Sequence, residues 1–283
     1  AMLEFSGAVE SWWRANKARF DKPFVHSHER ASIHSITTFH GPPMAPIKKT
    51  KPLMAFFSRR IRAWLALERR EVLGAAVQKV LPVSSAVGQE LLRHYPEIES
   101  RILMGGYPGV DDPVVRIQKV SAAEKLKIVF VGKEYKRKGL GFAVEVAKQL
   151  KALGVNASLD VYGPEPGTIP CAIKSCDYVR ILGFEQNIPW SNYDCLMHPA
   201  TQEPFGMVIS EAIQGGLFVV ASSCSGASDL FDNYDQAEFL DIDLHPRLWA
   251  ERTLDLVKKN KKSLRNLWTW ADLAEFHDSN VYV

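Results

Sequence analysis

The sequence predicts an α/β protein of two Rossmann-like, doubly wound domains. Three observations lead there. From residue 126 onward short apolar runs alternate with helical patterns. Several of those runs end in glycine or proline followed by charged residues. The composition, 46% apolar and 24% charged, is that of an ordinary globular chain. Strands alternating with helices form a parallel sheet covered on both faces, and ligands of such sheets bind at the carboxyl ends of the strands.

A chain of 283 residues suits two domains of moderate size. The net charge of +3 is too small to suggest a nucleic-acid partner. The apolar runs fall far short of the ~18 residues a membrane-spanning helix requires. The start, Ala1-Met2-Leu3-Glu4, lacks the charged and apolar regions of a secretory signal. Ala1 reads as a residue left by cloning, and the expected location is the cytoplasm. Cys171, Cys176, Cys195 and Cys224 are too sparse for a disulfide scaffold and show no zinc-ligand spacing, so reduced thiols are expected.

Element by element, the first domain should span residues 1–112. Residues 23–28 and 36–40 read as strands that run into polar loops, and 52–76 as one long helix. Residues 77–82 read as a strand, and Ser84 or Ser85 with Gln89 as the cap of a helix over 86–94. A last strand covers 101–104. The breaker-rich stretch 105–113 opens a linker reaching about Ala123. The second domain, 113–262, should hold strands at 126–131, 157–162, 178–182, 193–197 and 217–221, with helices at 139–153 and 206–214. The apolar tail over 264–276 reads as a helix, and the segment 263–283 is expected to pack back on the first domain.

The most specific chemical pattern is the stretch from His198 to Glu211, HPATQEPFGMVISE. A strand ends in a proline-containing loop, Glu203 precedes a Phe-Gly turn, and Glu211 follows on the new helix. A helix beginning near Phe205 would leave the N–H groups of Gly206, Met207 and Val208 facing a ligand, a ready site for phosphate. The two carboxylates could accept hydrogen bonds from sugar hydroxyls; the plainer alternative makes both glutamates solvated surface residues.

A second strand-to-helix loop, Gly132-Lys133-Glu-Tyr-Lys-Arg137-Lys138-Gly139, is basic. Cations beside a helix N-terminus oppose its dipole, so their placement costs stability without an anion. A diphosphate would repay that cost, with Arg137 bidentate and Lys138 a point charge; the alternative is a solvated basic loop. Gly183 and Phe184 follow another strand, where glycine lets backbone approach a flat ligand such as a nucleobase, or simply makes a turn. In the first domain His26 and His28 fall two apart, on one face of a strand, and His40 occupies a similar strand end. No third ligand at a visible spacing supports a metal there. A polar role toward a sugar is expected of His28; His26 and His40 are candidates on the acceptor side, with a purely structural role as the alternative for His40.

Taken together, "FVGKEYKRKGL", "LDVYGPEPG", "VRILGF" and "YDCLMHPATQEPFGMVISEAIQGGLFVVASSCSG" resemble glycosyltransferase family 4, retaining enzymes of the GT-B fold. The last segment carries the family's pair of glutamates at Glu203 and Glu211. "VHSHERA" followed by "TTFHG" is similar to the branch that elaborates lipopolysaccharide cores. The resemblance implies that Glu211 holds the ribose and that Glu203, with the Phe205-Gly206-Met207 backbone, holds the donor sugar. It implies that Arg137 and Lys138 neutralise the diphosphate and that His28 touches the donor sugar. It also implies a UDP-sugar donor, a glycan or glycolipid acceptor, no cofactor, no metal, and front-side displacement with retention. Lys133 stands where the family usually has arginine. Relative to the family the first domain begins part-way through its sheet, so the N-terminal domain is expected to be incomplete. A non-catalytic nucleotide-sugar-binding subunit, completed by a partner, is the alternative. A nicotinamide dehydrogenase is disfavoured, because no G-x-G-x-x-G follows a strand.

Lys48, Lys49, Lys51, Arg59, Arg60, Arg62, Arg69 and Arg70 surround Phe56, Phe57, Ile61, Trp64 and Leu65. Such a basic amphipathic stretch suits peripheral binding to an anionic membrane surface at the inner face of the plasma membrane. The alternative is a helix packing its apolar face on its own sheet with its arginines in water.

Overall fold

The computed structural model describes residues 2–21, 25–31, 33–111, 125–258 and 267–282. They form two units, residues 1–107 with 273–283, and residues 108–272. The linker expected beyond 111, the boundary at 112/113, residues 23–24 of the first strand and residues 264–266 of the tail lie outside the described residues.

The first unit begins with a helix that the sequence reading did not anticipate, α1 (Met2–Asn16). Strand β1 is only His26–Ser27, and β2 is Ile36–Phe39. The stretch read as one helix over 52–76 is two, α3 (Pro52–Phe57) and α4 (Arg59–Leu73), preceded by a single turn, α2 (Ile47–Thr50). The break is Ser58: its backbone turns extended, and its hydroxyl accepts the N–H of Ile61 at 3.4 Å, starting α4 afresh. Strand β3 (Lys79–Pro82) is followed by α5 (Ser85–His94), capped by Ser84, whose hydroxyl accepts the N–H of Val87 at 3.3 Å. The expected strand at 101–104 is reduced to one bridge, Val80 with Ile102. Strands β1, β2 and β3 make a parallel sheet in that order. Ile36 and Leu81 pack there with Val281 of the C-terminal segment, and Lys79 donates to the carbonyls of Asn280 and Val281 at 2.7 and 3.0 Å.

The second unit follows the predicted alternation. Its strands are β4 (Leu126–Val131), β5 (Ala157–Tyr162), β6 (Val179–Gly183), β7 (Cys195–His198), β8 (Phe218–Ser222) and β9 (Ala237–Leu240). Between them run α6 (Leu140–Ala152), α7 (Cys171–Lys174), α8 (Met207–Gln214) and α9 (Ser228–Phe231). Helix α10 (Pro246–Lys258) follows the last strand. Helix α11 (Trp270–Phe276) crosses the division between the units. All six strands are parallel, in the order β6-β5-β4-β7-β8-β9.

The chain therefore starts in the middle of the sheet, winds outward to one edge, and returns to wind outward to the other. That is the doubly wound order, and it puts the switch point between β4 and β7. The central strands are apolar on both faces, which is why they read as unbroken runs. Ile128, Phe130, Leu159, Met197 and Val220 pack beneath α6 and α10, where Trp249 is fully buried and meets Phe142 edge to face at 5.1 Å.

Candidate functional site

Two loops leave the sheet at the switch point, 132–139 after β4 and 199–206 after β7. Gly139 locks them together. It caps α6 with a left-handed backbone, φ +81°, and an added Cβ would sit 2.0 Å from the carbonyl oxygen of Pro199. Only glycine tolerates both the angle and the approach. Thr201 completes the join, its N–H and hydroxyl both donating to the carbonyl of Arg137, at 3.0 and 3.2 Å.

This join brings Arg137, Lys138 and Glu203 together, although the cations and the carboxylate come from different loops. Lys138 pairs with Glu203 Oε2, and Arg137 Nη1 lies 3.6 Å from the same oxygen. Arg137 also donates to the Gln202 carbonyl at 2.5 Å and to Glu134 at 2.6 and 3.1 Å. The carboxylates of Glu134 and Glu203 thus supply the basic loop with anions from the protein itself.

His198, the last residue of β7, was not singled out from the sequence, where it simply ends an apolar run. It is fully buried, with Nε2 3.4 Å from Glu203 Oε2. Burial lowers its pKa, so the ring is neutral. A neutral ring facing a carboxylate carries its proton on Nε2, so Nε2–H donates to Glu203. Its Nδ1 is buried without a partner among the described residues. Burial alone would push Glu203 up. The hydrogen bonds from His198 and Lys138 and the charge of Lys138 outweigh it and hold the carboxyl at about 2. Glu203 is therefore a fixed anion, and its backbone is pinned too: its N–H donates to Cys224 at 3.2 Å, and its carbonyl accepts from Gly226 at 3.0 Å.

Phe205 is buried, and Gly206, with φ +102°, caps α8, which begins at Met207, one residue after the expected start. The first N–H groups of α8, those of Met207 and Val208, have no acceptor within the helix. Glu211 follows one turn later, so it shares a helix face with them. Its carboxyl is raised above the ordinary value by burial. Gly183 ends β6 in a left-handed conformation, φ +78°, followed by Phe184, 71% exposed. Lys133 is exposed. Among the described residues neither Lys133 nor Glu211 bonds to the Arg137–Lys138–Glu203 cluster. His26, His28 and His40 gather in the first unit, where His28 Nδ1 and His40 Nε2 stand 2.9 Å apart. Among the described residues no group of three or more His, Cys, Asp or Glu is arranged to hold a metal ion.

Comparisons with known proteins bear on this arrangement. The sequence model of the family described as "Glycosyl transferases group 1" matches residues 112–268. A comparison with curated proteins finds no match. Among solved structures, the chain is similar to WaaG, a glycosyltransferase involved in lipopolysaccharide biosynthesis. The TM-score is 0.69 at 19% identity, covering 87% of this chain and 71% of WaaG. It is similar to sucrose-phosphate synthase from Thermosynechococcus elongatus, with a TM-score of 0.70 at 18% identity, covering 98% of this chain and 76% of the synthase. A third likeness is to Anabaena Alr3699/HepE in complex with UDP-glucose, with a TM-score of 0.57 at 18% identity, covering 79% and 62% of the two chains. At these identities the likenesses establish the fold, that of GT-B enzymes with Rossmann-like parallel sheets.

Proposed function

Because the chain belongs to the group 1 glycosyl transferases, we propose that it transfers a sugar from a UDP-sugar to a glycan or glycolipid acceptor, with retention and without a metal. The observation that carries this reading is the cluster at the switch point. Two cations and a fixed carboxylate meet there beside the start of α8. In this reading Arg137, Lys138 and the first N–H groups of α8 face the diphosphate, with Lys133 at the rim. They stabilise the charge that grows on the departing oxygen, an electrostatic form of catalysis. Glu203 and the Phe205–Met207 backbone hold the sugar, Glu211 accepts from the ribose hydroxyls, and Gly183 and Phe184 border the base. The acceptor hydroxyl attacks the anomeric carbon from the side the diphosphate leaves, and its proton departs with the diphosphate. The UDP-glucose bound by HepE supports the choice of donor base, and the lipopolysaccharide role of WaaG supports a glycolipid acceptor.

A lipid-borne acceptor would place the enzyme at a membrane surface, and α3 is suited to one. Leu53, Met54, Phe56 and Phe57 are 72%, 51%, 67% and 72% exposed. The exposed side chains of Lys48, Lys49, Lys51, Arg59, Arg60 and Arg62 flank them. Helix α4 behaves differently. Leu65 is buried and Trp64 is half-buried under the Arg30 guanidinium at 4.6 Å, so the two sequence alternatives divide between the two helices.

Release of UDP from UDP-glucose, with and without a glycolipid acceptor, tests the assignment. Arg137→Ala, Lys138→Ala and Glu203→Ala should each lower turnover by roughly 100- to 1000-fold, the usual cost of removing one transition-state stabiliser. Variants that keep full turnover would refute it.

A further inference from the structure

Three side chains converge on one oxygen of Glu203, Oε2. Lys138 pairs with it, Arg137 Nη1 lies 3.6 Å away, and His198 Nε2 lies 3.4 Å away. The other oxygen, Oε1, has no bonded partner among the described residues. Lys138 and Arg137 are cations from the loop after β4. His198 is different in kind. It ends β7, its backbone is paired with Ala221 of β8, and its ring is fully buried. Burial, with the charges of Lys138 and Arg137, outweighs the pull of Glu203 and keeps the ring neutral. A second proton, on Nδ1, would find no acceptor among the described residues.

These bonds respond differently to an anion at the site. A diphosphate attracts Lys138 and Arg137 and competes with Glu203 for them. It has no comparable hold on a neutral, buried ring. Once the cations turn to the diphosphate, the Nε2–H of His198 is what still grips Oε2. Without that bond the carboxyl would lose its orientation or take up a proton, since burial alone raises the carboxyl of Glu211 on the neighbouring helix.

We infer that His198 is a positioning residue, whose Nε2–H holds Glu203 by Oε2 so that Oε1 accepts a hydroxyl of the donor sugar while Lys138 and Arg137 serve the diphosphate. This rests on the reading of the chain as a transferase that uses a UDP-sugar. Discrimination among sugars then depends on a side chain that touches none of them.

The test is calorimetric titration of the full chain with UDP, with UDP-glucose, and with UDP-glucose analogues lacking one sugar hydroxyl at a time. Wild type is compared with His198→Gln and His198→Phe. Glutamine can bring an amide N–H to the place of Nε2, whereas phenylalanine fills the space without a donor. His198→Phe should weaken UDP-glucose binding roughly 10- to 100-fold, the worth of one hydrogen bond to a charged group, and His198→Gln should stay within about threefold of wild type. The analogue missing the hydroxyl that Oε1 accepts should bind wild type about tenfold more weakly than UDP-glucose does. It should bind His198→Phe about as well as UDP-glucose does, because both changes remove one contact. His198→Asn, whose shorter side chain leaves its amide short of Glu203, should behave as His198→Phe and serves if the latter does not fold. In the free wild type, NMR signals of the ring nitrogens should show hydrogen on Nε2 and none on Nδ1. Hydrogen on Nδ1, full UDP-glucose affinity without the donor, or equal losses in folded His198→Gln and His198→Phe would each overturn the inference. A wild type that binds neither UDP nor UDP-glucose fails the donor reading and the inference with it. A wild type that binds both, with sugar discrimination unchanged in the variants, fails the inference alone.

Discussion

Arg30 serves two buried carboxylates, and that imbalance sets how the first unit responds to pH. Its guanidinium lies 3.6 Å from Glu68 and 3.5 Å from Glu71. Glu68, fully buried, also accepts from the N–H groups of Met44 and Ala45, at 2.5 and 3.0 Å, and from the Tyr95 hydroxyl at 2.8 Å. Glu71 has the Thr37 hydroxyl at 3.0 Å, and its Oε2 is buried without a hydrogen bond among the described residues. One cation cannot neutralise both, and burial pushes Glu71 up to about 7. The folded chain therefore holds the Glu71 proton more tightly than the unfolded chain, and this group subtracts stability as pH rises from 4.5 to 7. Glu71→Gln keeps the shape and removes the titration. At pH 7 it should raise stability by on the order of 2 kcal/mol, and the gain should vanish near pH 4. Denaturant unfolding at the two pH values decides; a gain equal at both would sink the explanation. Glu203 has the opposite sign. Held at about 2, it adds stability above 4.5 that is lost as pH falls toward 2. Neither Arg30 nor its two glutamates could be singled out from the sequence, because buried and solvated charges share the same letters.

Glycine at two nearby positions separates two roles that look alike in the sequence. Gly139 caps α6 against the Pro199 carbonyl, whereas Gly141 lies within α6 with open space around it. Gly139→Ala must meet both the left-handed angle and the clash, and should cost about 2–4 kcal/mol. Because that contact joins the two site loops, UDP binding should fall as well. Gly141→Ala should stabilise by up to about 1 kcal/mol, the helix-propensity difference. Equal effects of the two changes in thermal unfolding would refute the local account. The same contrast shows what the sequence disclosed. Strands β4 to β8 were legible because buried parallel strands are continuous apolar runs closed by turn residues. Their ends moved by a residue or two, as at Val179–Gly183 and Cys195–His198. In the first unit the legible signal was weaker. A helical run from 52 to 76 hides the break at Ser58, since a serine cap inside a basic, apolar stretch carries no mark of its own. His198 stayed hidden for a related reason: only the fold shows that the ring ending β7 donates to Glu203.

Over the whole chain, charge is nearly balanced at +3, so attraction to an anionic surface must come from local crowding of cations. Helix α3 and its flanks supply that crowding together with four large apolar side chains in water. No helix among the described residues is long and apolar enough to cross a membrane, so any hold on lipid through this feature is peripheral. Sedimentation with vesicles should show binding to anionic phospholipid at low salt, weaker binding at 0.5 M salt, and little binding to zwitterionic vesicles. Neutralising Lys48, Lys49 and Lys51 to glutamine should remove about 3 kcal/mol of attraction, roughly a hundredfold in affinity, at ~1 kcal/mol per basic residue. Phe56→Ser with Phe57→Ser should weaken binding without lowering the melting temperature, because both rings are already exposed in the folded chain. Absence of binding to anionic vesicles at low salt would remove the membrane surface from the proposal. It would leave the proposed donor site untouched, since Arg137, Lys138 and Glu203 belong to the other unit.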